Sequence, residues 1–334
     1  MSTPVRATRL VLALFALLAL PLLLLPPSAA AQPARKLAVI FPGTVQDADF
    51  NAVGHIGMIE VKKQLGVEVA FSENVSVADA ERVTREYIGA GYGMLAFHGG
   101  QFVTVTRKLA PQFQDVVFVM QSTGPIPDLP PNVWNIGRKW YRGFYPLGVL
   151  AALSTKTNKV GFIAGIRLPD FTAQINSVQQ AIKEHNPKAS LVYAFTGDQN
   201  DPVKARQAAE AQIGSGVDFI VIAVNLGTYG ILEAAQAAKS RVLLTTFTTD
   251  KYELAPKVLT ASLLADYRKP FVEIVRRVLA GERGGYYEFK PGTGMDLSPI
   301  RNVPAEVSAT VTAVFAEVVA GKDLPEIMDR IVTP

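Results

Sequence analysis

The sequence predicts an α/β protein of two similar lobes, each a parallel sheet covered by helices. Three observations carry that prediction. From Lys36 onward, apolar runs of four to six residues alternate with amphipathic stretches of ten to eighteen. The runs are β-branched and mostly apolar on both faces, as strands covered from two sides must be. The alternation also passes twice through the same round, over roughly 36–137 and again over 159–249. At 334 residues the chain is long enough for two domains, each with its own core.

In chain order, strands are predicted at Leu37–Phe41, Glu68–Ser72, Met94–Phe97, Val116–Met120 and Val133–Ile136. The second round supplies Val160–Ala164, Leu191–Phe195, Phe219–Ala223, Val242–Thr246 and Val258–Leu263, followed by a helix at Tyr267–Gly281 and a strand near Tyr286–Phe289. The intervening helices carry start and stop signals. Ser76-Val-Ala-Asp79 has the form of a capping box, and Asp201-Pro202 puts an N-cap before a proline at the first helical position. Gly66, Gly91, Gly216 and Gly281 each follow a helical pattern. Strand, helix, strand repeated in this way implies parallel sheets with right-handed crossovers. The expected division is a first lobe of residues 35–138 plus 265–283 and a second of 139–264 plus 284–334, with several crossings forming a hinge.

Residues 1–31 read as a secretory signal. Arg6 and Arg9 precede an apolar run from Leu10 to Leu25, which is broken only by Pro21, and small residues end at Ala31. The run is too short for a membrane span, so cleavage near Ala31 is expected, with a periplasmic product. The chain has no cysteine. That excludes a disulfide scaffold, a thiol nucleophile, a zinc ribbon and a lipoprotein anchor. Without the two leader arginines, 31 basic residues face 29 acidic ones, and no basic cluster suggests nucleic acid.

In open parallel sheets a ligand sits beyond the carboxyl ends of the strands, so those ends are where side chains matter most. After the first strand comes Phe41-Pro-Gly-Thr-Val-Gln-Asp-Ala-Asp-Phe-Asn51. Phe50 there can stack on a planar ligand while Asn51 bonds its edge; equally, Phe50 can be a hydrophobic staple with Asp49 as N-cap. After the third strand, His98-Gly99-Gly100-Gln101 offers backbone amides at a helix start, with His98 as a polar contact or a structural histidine. Trp140 lies where the chain first changes lobes, beside Arg138 and Lys139; Trp140 can equally cover a core, and Arg138 or Lys139 can equally be solvated. Phe171 and Asn176 follow the strand at 160–164, Asn225 follows that at 219–223, and Phe247 and Asp250 end the strand near 242. With Phe41, these make up the candidate ligand contacts. No catalytic residue, metal site or cofactor is expected: three histidines form no cluster, and neither a G-x-S-x-G elbow, a P-loop, an H-E-x-x-H nor a G-x-G-x-x-G fingerprint occurs.

The loop ending in Asp49-Phe50-Asn51, together with Ala110–Phe118, Thr155–Phe162 and Asn200-Asp-Pro-Val-Lys204, resembles the basic membrane protein (BMP) family of ABC-transporter solute-binding proteins. The resemblance spans essentially the whole mature chain. It implies a type I periplasmic-binding fold, two Rossmann-like lobes with parallel sheets joined by a multi-strand hinge, and capture of a purine nucleoside, base or related heterocycle. It also implies an inner-membrane ABC permease as partner and a monomeric shuttle. Phe50 and Asn51 match the family's stacking aromatic and neighbouring amide. The family's carboxylates fall at Phe41 and Phe247, a further aspartate at Thr104 and a lysine at Leu264, which points away from ribose and towards a flatter ligand. A secreted sensor of the same fold, and an exported nucleoside-cleaving hydrolase using Asp47 and Asp49, are the alternative readings.

Overall fold

The computed structural model describes residues 36–332, so the expected leader lies outside the described residues. The first round runs β1 (Lys36–Ile40), α1 (Phe50–Leu65), β2 (Glu68–Ser72), α2 (Val77–Gly89), β3 (Met94–Phe97), α3 (Val103–Leu109), β4 (Val117–Ser122) and β5 (Val133–Arg138). The second runs α4 (Trp140–Ser154), β6 (Lys159–Ala164), α5 (Pro169–His185), β7 (Ser190–Phe195), α6 (Pro202–Gly214), β8 (Phe219–Ala223), α7 (Thr228–Ala237), β9 (Leu243–Thr248) and β10 (Leu259–Ala265). Then follow α8 (Arg268–Leu279), β11 (Gly285–Phe289), β12 (Met295–Leu297) and α9 (Ala305–Val319). The predicted strands lie within two residues of those observed.

The local signals act as expected. Ser76 Oγ accepts the Asp79 N–H at 3.1 Å and donates to the Asp79 carboxylate at 2.7 Å. The Asp201 carboxylate accepts from the N–H groups of Val203 and Lys204 at 2.9 and 3.0 Å, which supplies the donors at the start of α6 with an acceptor.

Two six-stranded sheets result, in the orders β11-β5-β4-β3-β1-β2 and β12-β10-β9-β8-β6-β7. All pairs are parallel except β10 with β12. In both sheets the first strand of the round lies between the second and the third, and later strands are added outward, so the lobes repeat one winding. The chain crosses between lobes after β5, after β10 and after β11. Aromatic rings pack these crossings together: Tyr267 stacks on Phe289 at 4.6 Å, and Trp140 meets Phe289 edge-on at 5.7 Å.

One boundary differs from the sequence expectation. The expected second lobe includes residues from 284, yet Gly285–Phe289 pairs with β5 in register from Trp134 to Arg138 and so belongs to the first sheet. The return to the second lobe comes between Phe289 and Met295. The physical reason is the open edge of β5, whose peptide groups need a partner. Gly285 lets the strand approach, since a Cβ there would sit 2.7 Å from the Trp134 ring.

Helix α4 carries little amphipathic pattern because thirteen of its fifteen residues are buried. It lies along α5 and α9 on the second sheet. Gly148 sets the distance to α5: a Cβ there would lie 2.8 Å from the Ala181 Cβ and 2.9 Å from the Val178 Cα. Gly148→Ala is therefore expected to destabilise the protein by about 1–3 kcal/mol through overpacking, despite alanine's better helix propensity. Urea unfolding at neutral pH checks this; an unchanged or raised midpoint would show that the two helices separate freely.

Candidate ligand cleft

The loops after β1, β3 and β4 face those after β6, β8 and β9 across a cavity of about 860 Å³. Eight of the twelve sequence-predicted contacts line it: Phe50, Asn51, Gly99 and Gln101 on the first-lobe side, with Trp140, Phe171, Asn225 and Phe247 at the first crossing and on the second lobe. Trp140 and Phe247 meet edge to face at 5.6 Å, which holds both rings in place on one wall.

The other four lie elsewhere. Phe41 is fully buried among the rings of His55, Phe71 and His98, because its strand end points into the first-lobe core. Asn176 spends its amide on the C-terminal segment, donating to the carbonyls of Ile327 and Arg330 and accepting from the Val332 N–H. Asp250 ties its own strand edge, accepting from Ser262 Oγ and the Tyr252 N–H and pairing with Arg301.

His98 is a support and not a contact. Its ring is fully buried and stacks under Phe50, with centroids 4.1 Å apart. The Phe50 carbonyl, 2.7 Å from Nε2, can only accept, so Nε2 carries the proton. Nδ1 then accepts from Gln121 Nε2 at 2.8 Å, and Gln121 Oε1 accepts from the Tyr267 hydroxyl at 3.2 Å. This chain fixes both the backbone and the ring of Phe50. Burial pushes the His98 pKa down to about 3, so the ring is neutral at physiological pH.

Asp47 organises the loop before α1. One carboxylate accepts from the N–H groups of Asp49, Asn51 and Ala52 and from the side-chain amides of Asn51 and Asn225, at 2.8–3.2 Å. Burial works to raise its pKa, but these donors outweigh it and hold the carboxyl below its ordinary value. Asp49 occupies the N-cap position of α1 without a side-chain capping bond. It forms an ion pair of 3.0 Å with Lys251 of the second lobe, and both side chains are almost inaccessible. Asp47 is thus taken up by its five donors and Asp49 by Lys251, and neither borders the cavity.

The charged residues lining the cavity are not among the twelve predicted contacts. Arg138 is largely buried, not solvated, and stands 3.5 Å from Asp170 at the start of α5, which decides between its two readings. Glu326, from the segment after α9, borders the cavity and pairs with Lys139 at 2.5 Å. Burial raises the Asp170 carboxyl, with Arg138 pulling the other way. An alternating strand pattern gives no signal for a residue 187 positions downstream, and Glu326 stands in a stretch without regular structure.

The family model described as "ABC transporter substrate-binding protein PnrA-like" (Bmp) matches residues 34–290. The chain belongs to this family. Among similar proteins, a purine-binding protein of Brucella abortus is 25% identical over 294 residues, covering 86% of this chain and 81% of that protein. A solute-binding protein of an ABC transporter system from Conexibacter woesei superposes with a TM-score of 0.72 at 24% identity, covering 88% of this chain and 99% of that one. One from Aeropyrum pernix gives 0.73 at 18% identity, over 86% and 92%. These likenesses show the two-lobed periplasmic-binding fold expected from the resemblance.

Of the Bmp positions where the resemblance puts charged groups, only Phe247 borders the cavity in this protein. Phe41 is in the core, Thr104 is exposed on α3, and Leu264 lies in β10 away from the cavity. The carboxylates that do line it, Asp170 and Glu326, come from other elements.

Proposed function

We propose that this Bmp-family protein is a periplasmic receptor that captures a small planar heteroaromatic ligand, a purine base or a close relative, and delivers it unaltered to an ABC permease. It works as a monomeric shuttle, its leader removed on export, with the two lobes closing on the ligand about the three crossings. The single observation that carries this reading is the inter-lobe cavity walled by the rings of Phe50, Trp140, Phe171 and Phe247 and edged by the amides of Asn51 and Asn225. Rings stack on a flat ligand and amides read its rim. Phe247 supplies no charge for ribose hydroxyls, which favours a base over a nucleoside. The purine-binding relative supports the ligand class, at 25% identity.

Tryptophan fluorescence tests it. The chain has two tryptophans; Trp134 is fully buried in the first sheet, whereas Trp140 lines the cavity. Adenine, hypoxanthine or guanine is expected to change Trp140 emission saturably, and Phe50→Ala is expected to weaken binding about tenfold or more through lost stacking, on the order of 1–3 kcal/mol. No response to bases or nucleosides, by fluorescence and by calorimetry, would reject the ligand class.

A further inference from the structure

Among the described residues, five buried polar atoms on cavity-lining side chains have no protein partner: Asn51 Oδ1, Gln174 Oε1, Asn225 Oδ1, Glu326 Oε1 and Arg138 Nε. Four are acceptors and one is a donor. The amide orientations follow from their neighbours, since the NH₂ groups of Asn51 and Asn225 both point to Asp47 Oδ2, which only accepts. Their carbonyl oxygens are therefore the ends left over. Asn51 and Gln174 are 4% and 1% exposed, so water does not readily replace the missing donors. The charged types among the lining residues are one basic side chain, Arg138, and two carboxyl side chains, Asp170 and Glu326.

Glu326 stands on an anchored segment. Its segment is tied down at several points: Arg142 donates to the Lys322 carbonyl at 2.6 Å, Asn176 fixes Ile327, Arg330 and Val332, and Lys139 takes Glu326 Oε2. Oε1 of the same carboxylate stays unpaired. Glu326 also lies beyond residues 34–290, so the family match says nothing about it. A buried acceptor without a donor is costly, and a ligand that supplies N–H groups removes the cost of each one it reaches.

We propose that the cleft selects an amino-substituted heteroaromatic ring over its oxo counterpart, and that Glu326 is the specificity residue that reads the amino group. This rests on the ligand reading above. Glu326→Gln makes a sharp test: Lys139 can only donate, so the new amide turns its oxygen to Lys139 and puts NH₂ where Oε1 stood. An acceptor becomes a donor at unchanged shape.

Calorimetric titration of the full mature protein with three pairs tests the proposal: adenine against hypoxanthine, 2,6-diaminopurine against xanthine, and 2,4-diaminopyrimidine against uracil. The amino member is expected to bind at least tenfold more tightly, and Glu326→Gln to shrink that ratio about tenfold. Because this variant also leaves Lys139 without a carboxylate, Gln174→Met, which removes an acceptor and leaves the Lys139–Glu326 pair intact, is measured beside it, with thermal unfolding to show that both fold. Oxo purines binding as tightly as amino purines overturns the proposal and leaves the purine reading standing. Binding of the diaminopyrimidine alone supports the proposal and rejects the purine reading. Silence across all six rejects both, and a wild-type ratio retained in both folded variants removes Glu326 from the role.

Discussion

Lys251→Met is expected to open the ligand-free protein at pH 8 and to leave it close to wild type at pH 5. Lys251 is the second-lobe partner of Asp49, and the pair is nearly inaccessible to water. The lysine also donates to the Phe247 carbonyl at 3.1 Å and to Thr249 Oγ1 at 2.9 Å, while Thr249 bonds the Ala48 carbonyl and Asn225 bonds Asp47. The contacts to Asp49, Ala48 and Asp47 join the loop before α1 to the second lobe, and the bonds to Phe247 and Thr249 hold Lys251 in place within that lobe. Without Lys251, a closed cleft would hold an uncompensated carboxylate, at a cost of about 3–5 kcal/mol. Opening lets Asp49 reach water and avoids that cost. Burial raises the Asp49 pKa against the pull of Lys251, so removing the lysine raises it further. The closed state therefore binds a proton more readily than the open one, and closure in the variant is present at low pH and lost as pH rises. Small-angle scattering should give a larger radius of gyration for Lys251→Met than for wild type at pH 8 but not at pH 5. Adding Asp49→Asn should restore closure at both pH values. Equal radii throughout would show that the ion pair does not hold the lobes together.

Acidification from pH 6.5 to 4 is expected to remove about 3 kcal/mol of stability through His98 alone. The ring is depressed from an ordinary value of 6.5 to about 3 when folded, chiefly by burial. The unfolded chain takes up a proton below pH 6.5 and the folded one does not until near pH 3. The contribution is thus complete above pH 6.5 and is lost progressively as pH falls towards 3. His98→Gln cannot titrate, so although its stability at pH 7 is lower, its further loss on going to pH 4 should be about 3 kcal/mol smaller than in wild type. Urea unfolding at the two pH values measures the difference. Parallel losses would mean that the ring is charged in the native state, contrary to its bond to the Phe50 carbonyl.

Much of this protein was legible in the chain because its signals are local. Strands buried on both faces need unbroken β-branched runs, so Met94–Phe97 and Phe219–Ala223 stand out residue for residue. Capping at Ser76 and Asp201 is decided within three residues of sequence. Helix α4 left no such trace, since a helix buried on almost every side has no polar face to set a period. Strand β11 is legible as a strand but its sheet is not, because the choice between two sheets depends on which edge is open.

The site divides along the same line. Placing Phe50, Asn51, Trp140 and Phe247 at the cleft needed only the rule that ligands lie beyond strand ends. Which way a side chain turns at a strand end is another matter: Phe41 and His98 turn inward, one into the first-lobe core and the other under Phe50. Glu326 shows the limit most clearly. It meets Lys139 across 187 positions, a distance no pattern in a single sequence spans.

The sequence by itself determined the alternation of strand and helix, the double winding and the strand ends at which a ligand would be met, because hydrophobic periodicity and capping act over a few residues. Only the tertiary structure decided which aromatic rings border the cavity, which sheet takes Gly285–Phe289 and which charges line the cleft. Those outcomes depend on unpaired edges and buried partners brought together from far apart in the chain, and folding alone creates them.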